Sequence, residues 1–290
     1  MELQTDAIGK QYGQTWAVRD VTLELSTGIH GLLGPNGAGK STLMRLLTRV
    51  EDPTTGTVSW NGTDAVEEPS AIRSILGYLP QDFGVYPDLT AREFLEYIAA
   101  LRGVNSATAA DRIDDLFVLT NLEHVEDQKL HSFSGGMRQR VGIAQALVSD
   151  PDLLIVDEPT VGLDPEERVR FRNVLSSTAS DRIVILSTHI VPDIEATANT
   201  VVLLDDGELV THTTPGELLD ATTGSVYEDV VTPDELDALR QEHQVSNTVQ
   251  RPEGIEVRVV ADAPPSPSAK RVTPTLEDAY LHRIDHSGVV

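Results

Sequence analysis

The sequence predicts an α/β fold with a parallel sheet at its centre, and three observations predict it. Apolar strands alternate with helical segments along most of the chain. One strand, residues 29–33, runs straight into Gly34-Pro-Asn-Gly-Ala-Gly-Lys-Ser41, the strand–loop–helix layout of a phosphate site. Another, residues 153–156, is apolar throughout, as a strand buried on both faces must be, and it ends on Asp157-Glu158.

The elements run in order along the chain. The first thirty residues read as short strands, with spaced apolar residues over 11–17 and 21–25 and turns at Gly13 and Gly28. Residues 42–50 continue the phosphate loop as a helix. Residues 57–60 followed by Asn61-Gly62 read as a strand with a hairpin turn, and 75–79 as a strand ending at Pro80-Gln81. Thr90 and Glu93 have the spacing of a capping box, after which Phe94, Leu95, Ile98 and Leu101 recur at helical period. Ile113, Leu116, Phe117 and Leu119 mark a second helix. Ser134 stands as the N-cap of a third, with Val141, Ile143, Ala144 and Leu147 as its apolar positions. Strands return at 153–156 and 183–186. Between them Asp164-Pro165-Glu166-Glu167 supplies a cap, a first-turn proline and an acidic first turn. Residues 201–204, the turn Asp205-Asp206-Gly207 and residues 208–210 read as a closing hairpin.

The composition changes near residues 221–224. Beyond lie a short strand, a polar helix from about Pro233, two more strands, a loop at 263–269 and a last helix from near Thr275. The loop is rich in Pro and Ser, a composition that favours disorder. The division this suggests is a main domain over 1–220 and a small α+β appendage over 221–290, with no long internal repeat.

Composition bounds the function. The 290 residues are 40% hydrophobic and 4% aromatic, the profile of a soluble protein with an aliphatic core. No apolar run is long enough to span a bilayer, and Met-Glu-Leu-Gln-Thr-Asp at the start lacks the regions of a secretion signal. With no cysteine, disulfides, iron–sulfur clusters and thiolate zinc sites are excluded, and the expected compartment is the cytoplasm. The formal net charge is −24, and only Lys10, Lys40, Lys129 and Lys270 are lysines. Such a surface is either ordinary solubilising charge or an adaptation to high salt, where self-repulsion is screened. It also argues against nucleic acid, whose phosphates need clustered Lys and Arg.

Gly34 to Ser41 match the phosphate-loop pattern, with Gly34, Pro35, Asn36, Gly37, Ala38, Gly39, Lys40, Ser41 and the adjoining Thr42 as nucleotide-binding candidates. Glycines let successive N–H groups curl around phosphate oxygens, and the helix after the loop points its N-terminus at the same anion. Lys40 supplies a fixed cation to the β- and γ-phosphates; Ser41 offers a hydroxyl to Mg²⁺. At the acidic strand end, adjacent carboxylates are costly unless a metal or a reaction uses them. Asp157 is the candidate for holding Mg²⁺, and Glu158 for deprotonating the attacking water.

Residues 132–140 read Ser-Phe-Ser-Gly-Gly-Met-Arg-Gln-Arg, a second glycine-rich helix start. With the two preceding motifs, this segment resembles the signature of ATP-binding cassette (ABC) proteins, and residues 2 to 215 resemble the ATPase subunit of an ABC transporter. The resemblance implies a P-loop NTPase core with a parallel sheet, an antiparallel β subdomain and a helical subdomain inserted over about 84–148. It implies that Gln81 senses Mg²⁺ and the attacking water, and that His189 contacts the γ-phosphate. It places Tyr12 against adenine, although an aromatic on a strand is also ordinary core packing. Gly162-Leu163-Asp164 resembles the loop that crosses to the other subunit, and Ser134, Gly135 and Gly136 the segment that touches a partner's phosphate. Phe133 and Met137 replace the family's commoner Leu and Gln, leaving the Ser-Gly-Gly core intact.

Residues 84–93 and 273–281 resemble the exporter-like branch, whose permease is a separate membrane protein. There the region around 82–101 receives a permease helix; packing of Val85, Tyr86 and Leu89 within the helical subdomain is the plainer reading. The implied mechanism is ATP-driven dimerisation, either of two copies or with a second ATPase subunit, at the inner face of the cell membrane. The competing readings are a soluble cassette ATPase acting on ribosomes, a DNA-repair ATPase and a binding module with a decayed site. The single cassette, the absence of a splitting coiled coil and the presence of Lys40, Glu158 and His189 weigh against them in turn.

Overall fold

A long antiparallel hairpin opens the chain, formed by β1 (Glu2–Tyr12) and β2 (Thr15–Ser26) and turned at Gly13. The computed structural model describes residues 1–287, and these divide into two units, Met1–Leu209 and the residues from Val210 on. The hairpin corrects the expected short strand over 11–17, because those residues straddle the turn. The turn at Gly13 stands where expected, but the apolar spacing beside it did not show that the flanking strands run for 11 and 12 residues.

The remaining elements of the first unit come in chain order: β3 (Gly28–Leu33), α1 (Lys40–Leu47), β4 (Thr55–Trp60), β5 (Thr63–Asp64), α2 (Ser70–Arg73) and β6 (Leu76–Leu79). Three longer helices come next, α3 (Ala91–Leu101), α4 (Ser106–Thr120) and α5 (Gly135–Leu147). Then come β7 (Leu153–Asp157), α6 (Pro165–Thr178), β8 (Ile183–Ser187), α7 (Val191–Thr197) and β9 (Thr200–Asp205), with β10 (Glu208–Thr213) carrying the chain across the division.

Two sheets result. One is antiparallel, in the order β2-β1-β4-β5; the other runs β9-β3-β8-β7-β6, with β3, β6, β7, β8 and β9 parallel. Every residue of β3, β7 and β8 is buried, which explains their unbroken apolar sequences. Leu3, Ile8, Val18 and Leu25 of the first sheet share one core with Leu43, Met44 and Leu47 of α1 and with Leu153, Ile155 and Ile185 of the second. The register of the parallel sheet aligns its strand ends. Leu79 pairs with Val156, Asp157 with Ser187, and Leu32 with Ser187, so the carboxyl ends of β3, β6, β7 and β8 lie level. The loops leaving those strands emerge along one edge, where open α/β sheets bind their ligands.

The helical segment adheres closely to the sequence pattern. Thr90 and Glu93 make both bonds of the capping box, at 3.2 and 2.8 Å. Phe94 and Leu95 are buried, as are Ile113, Leu116 and Phe117 on α4. Leu101 departs from the expected apolar stripe and is 66% exposed. It is the last residue of α3, where the stripe outruns the helices that cover it. Among the described residues, no helix is long and apolar enough to cross a membrane.

The second unit contains α8 (Pro215–Thr222), β11 (Val226–Val231), α9 (Pro233–Glu242), β12 (Gln244–Arg251), β13 (Gly254–Val260), β14 (Lys270–Arg271) and α10 (Leu276–Ser287). Its antiparallel sheet runs β12-β13-β11-β14 around a small core of Tyr227, Val231, Leu236, Val257 and Val259. The composition change at 221–224 falls one helix beyond the division between the units. Strand β14 has no sequence signal, being a two-residue pair of cations that bonds to β11. In the loop at 263–269, Ser268 donates to Asp229 at 2.9 Å.

One buried polar tie in this unit centres on Asp278. Fully buried, its carboxylate accepts from Arg258 Nε at 2.9 Å and from the Thr275 N–H at 2.7 Å at the start of α10. Bonds to the charged form hold its pKa below the ordinary carboxylate range against the effect of burial. Asp278→Ala leaves Arg258 short of its buried partner, and a loss of about 3 kcal/mol is expected by chemical denaturation.

Candidate active site

Beneath the level strand ends lies a cavity of about 490 Å³, lined by Ala17, Asn36 to Thr42, Gln81, Asp157, Glu158, Val161 and His189. It collects residues from five separate stretches of sequence: β2, the phosphate loop with the start of α1, and the segments at or beyond the ends of β6, β7 and β8. The phosphate loop leaves β3 and closes into α1, with Ala38 N donating to Pro35 O at 3.2 Å and Leu43 N to Gly39 O at 2.8 Å. Gly39 is one of its two tightest points, with Gly34 the other. At Gly39 φ is +96°, and a Cβ there would meet the Ala17 carbonyl at 2.3 Å. A side chain at this position would break both the turn and the packing of the loop on β2. The Ala38 carbonyl in turn accepts from Gly207 at 3.2 Å, fixing the loop from the far side.

Lys40 opens α1 and is 8% exposed. Its ammonium donates to the Gly34 and Pro35 carbonyls at 2.6 and 3.0 Å, which folds the side chain back over its own loop. Burial pushes its pKa down, while Glu158 and Asp157 oppose that shift. Two carboxylates facing the amine favour its charged form against that burial.

Asp157 ends β7 and is 5% exposed. Burial pushes its carboxyl above the ordinary range and Glu158 adds to the shift, while Lys40 and Arg45 pull it back. A buried carboxylate of this kind is stabilised by any cation brought near it. Glu158 comes next in a left-handed backbone conformation, φ +49°, uncommon for a residue with a side chain. Its N–H bonds Ser187 O at 2.9 Å, so the turn away from β7 is pinned to β8. Its carboxylate pairs with His189 Nδ1 at 2.6 Å. His189 sits just beyond β8 with more than half of its side chain exposed, and Glu158 is largely covered. Gln81, exposed two residues past β6, completes the cavity wall.

The remaining candidates lie elsewhere. Tyr12 ends β1, 46% exposed, with its hydroxyl on the Glu51 carboxylate and the Lys10 ammonium 5.4 Å from its ring centre. Its hydroxyl is hydrogen-bonded by Glu51, which raises its pKa, while Thr42 and Arg45 of α1 lower it. Tyr12 therefore borders α1 without lining the cavity. Ser134, Gly135, Gly136 and Asp164 are also outside the lining residues. Ser134 caps α5, accepting from Met137 N at 3.2 Å, and Asp164 caps α6, accepting from Glu167 N at 2.8 Å. The two caps are neighbours, because a Cβ on Gly136 would fall within 2.1 Å of the Glu167 carboxylate. Ser134, Gly135, Gly162 and Asp164 face solvent, while Phe133 (2% exposed) and Leu163 (8%) anchor them in the core.

Ala17, Val161, Glu51 and Arg45 escaped the sequence reading. Val161 had a signal, lying between Glu158 and Gly162; the other three had none, since their roles depend on pairing distant in sequence.

Known proteins resemble this chain in sequence and fold. Residues 18–161 match the family model described as ABC transporter. The chain is 37% identical over 240 residues to the Nod factor export ATP-binding protein I of Cupriavidus pinatubonensis, covering 82% of this chain and 74% of that protein. It is 36% identical over 220 residues to the bacitracin transport ATP-binding protein BcrA of Enterococcus faecalis, covering 74% and 70% of the two chains. A solved ATP-binding subunit of an ABC transporter superposes with a TM-score of 0.70 at 28% identity, over 76% of this chain and 93% of that one.

Proposed function

The chain belongs to the ATP-binding, ATP-hydrolysing subunits of the ABC transporter family, in its exporter-like branch, and from that premise we propose how its site works and what it serves. The observation that carries the reading is the meeting of Lys40, Gln81, Asp157, Glu158 and His189 around one cavity at the level strand ends. ATP lies with its phosphates in the 34–42 loop, where backbone N–H groups, the α1 N-terminus and Lys40 neutralise it. Tyr12, held by Glu51, receives the adenine. His189 faces the γ-phosphate, and Glu158 takes the proton of the attacking water.

Mg²⁺ fits the donors present. Among the described residues no cluster of three or more His, Cys, Asp or Glu side chains occurs that could hold a metal by itself. The Ser41 hydroxyl, the Gln81 amide oxygen and the buried Asp157 carboxylate are hard oxygen donors, and Mg²⁺ beside phosphates takes few protein ligands. Bound there, it would supply charge stabilisation at the phosphates.

The solvent-facing caps at Ser134 and Asp164 support a second ATPase subunit, a copy of this chain or a related one, whose nucleotide they complete. Tyr86 and Tyr97, 53% and 41% exposed with ring centres 5.3 Å apart, support docking of a membrane permease on the helical segment. We assign the subunit to the cytoplasmic face of the membrane, powering export, as the relatives' names suggest. Those names favour transport over the ribosome-acting alternative. The acidic, lysine-poor surface suits a high-salt interior.

Lys40→Ala tests the cavity reading. Losing one charge-assisted contact to phosphate should weaken binding of a fluorescent ATP analogue roughly ten- to hundredfold. Unchanged affinity would remove the phosphates from this loop. Recovery of a membrane protein with the affinity-purified chain, rather than ribosomes, tests the partner.

A further inference from the structure

We infer that Thr160 and Asp193 are positioning residues that hold Glu158 and His189 in register; this rests on reading that pair as the hydrolytic machinery. Thr160 lies two residues beyond Glu158, and Asp193 lies four beyond His189 on α7. Both are buried, at 1% and 3% exposure, and neither lines the cavity. The Thr160 hydroxyl donates to Asp193 Oδ2 at 2.7 Å. The other carboxylate oxygen faces Arg172 of α6, whose Nη1 is 3.7 Å away. Three segments meet on one buried carboxylate: the loop that turns out of β7, the helix after that loop, and the helix after His189.

The chemistry of burial makes this tie restrictive. A carboxylate withdrawn from water is costly unless its partners stay in place, so the loops on either side of Asp193 cannot drift apart cheaply. Glu158 needs such restraint. Its left-handed backbone is a conformation that persists only where the surroundings over-determine it. On one side its N–H is bonded to Ser187; on the other, its carbonyl accepts from Val161 N within the turn at 3.4 Å, and the tie that carries the turn to another element is the Thr160 hydroxyl. The loop of His189 is fixed in the same way, by Ser187 at the end of β8 and by Asp193 at the start of α7. The 2.6 Å contact between Glu158 and His189 therefore spans two loops that are pinned to each other behind the site.

Thr160→Val removes the hydroxyl at nearly constant shape, and Thr160→Ser restores it. The readouts are ATP turnover per nucleotide-binding site, with sites counted by titration with a fluorescent ATP analogue, and the affinity for that analogue. We expect the valine variant to lose roughly ten- to hundredfold in turnover per site with affinity within about twofold, and the serine variant to recover most of it. Turnover per site within twofold of wild type in the valine variant would overturn the inference, as would a serine variant as slow as valine. If valine overpacks the site, Thr160→Ala removes the same hydroxyl without added bulk and is judged by the same outcomes. Glu158→Gln measured alongside separates the two levels. If it turns over normally, the underlying reading fails; if it is slow while the threonine variants are not, only the positioning role fails.

Discussion

Glu158→Gln is expected to lower ATP turnover by roughly a hundred- to ten-thousandfold while leaving ATP affinity nearly unchanged. The side chain keeps its shape and a polar atom to pair with His189 Nδ1, so the 2.6 Å contact can survive. What is lost is the base, since an amide cannot take the proton of an attacking water. Binding is spared because Lys40 and the loop N–H groups supply the phosphate contacts, with Lys40 facing two carboxylates of which only one is altered. That alteration even favours an incoming polyanion, because it removes a negative charge beside the γ-phosphate. Phosphate release and nucleotide titration on the purified protein measure the two quantities separately. Normal turnover would show that the water is activated elsewhere.

The parts of the site that the sequence made legible are those whose chemistry is local. The phosphate loop is a contiguous run, and its geometry is enforced within that run, as Gly39 shows. Asp157 and Glu158 were visible because an acidic pair ending an apolar strand has few structural reasons to exist. The caps at Thr90, Ser134 and Asp164 were visible because each bonds an N–H only three residues on. What was hidden depends on sheet register. The level ends of β3, β6, β7 and β8 bring Gln81, Glu158 and His189 to one cavity, and no periodicity within any one segment announces that alignment. Family resemblance, and not residue spacing, pointed to Gln81 and His189. The left-handed turn at Glu158 and the Thr160–Asp193 tie were hidden for the same reason, since each depends on segments about thirty residues apart. The long first hairpin was misjudged in the opposite direction: its register shifts between Thr5 and Gln11 interrupt the alternation on which a strand reading relies.

Ser134→Arg is expected to abolish turnover, by at least a hundredfold, while a monomer binds ATP as before. The segment is outside the cavity of its own chain, so nothing in that cavity is touched. The fold should tolerate the change, because Ser134 is exposed and its cap bond to Met137 is worth about 1 kcal/mol. Phe133, 2% exposed, keeps the start of α5 anchored. An arginine here therefore acts mainly by its bulk and reach, filling the space in which a partner's phosphates would meet the helix N-terminus. Ser134→Ala is the control that separates the two effects. It loses the cap but adds no bulk, and we expect only a modest fall in turnover. Sedimentation with ATP in the Glu158→Gln background, where hydrolysis cannot reopen the pair, reads assembly directly. A nucleotide-dependent dimer in that background and a monomer once Ser134→Arg is added is the expected result. Full turnover by Ser134→Arg would mean that each subunit hydrolyses ATP within its own cavity, with the Ser-Gly-Gly segment reduced to an ordinary helix start.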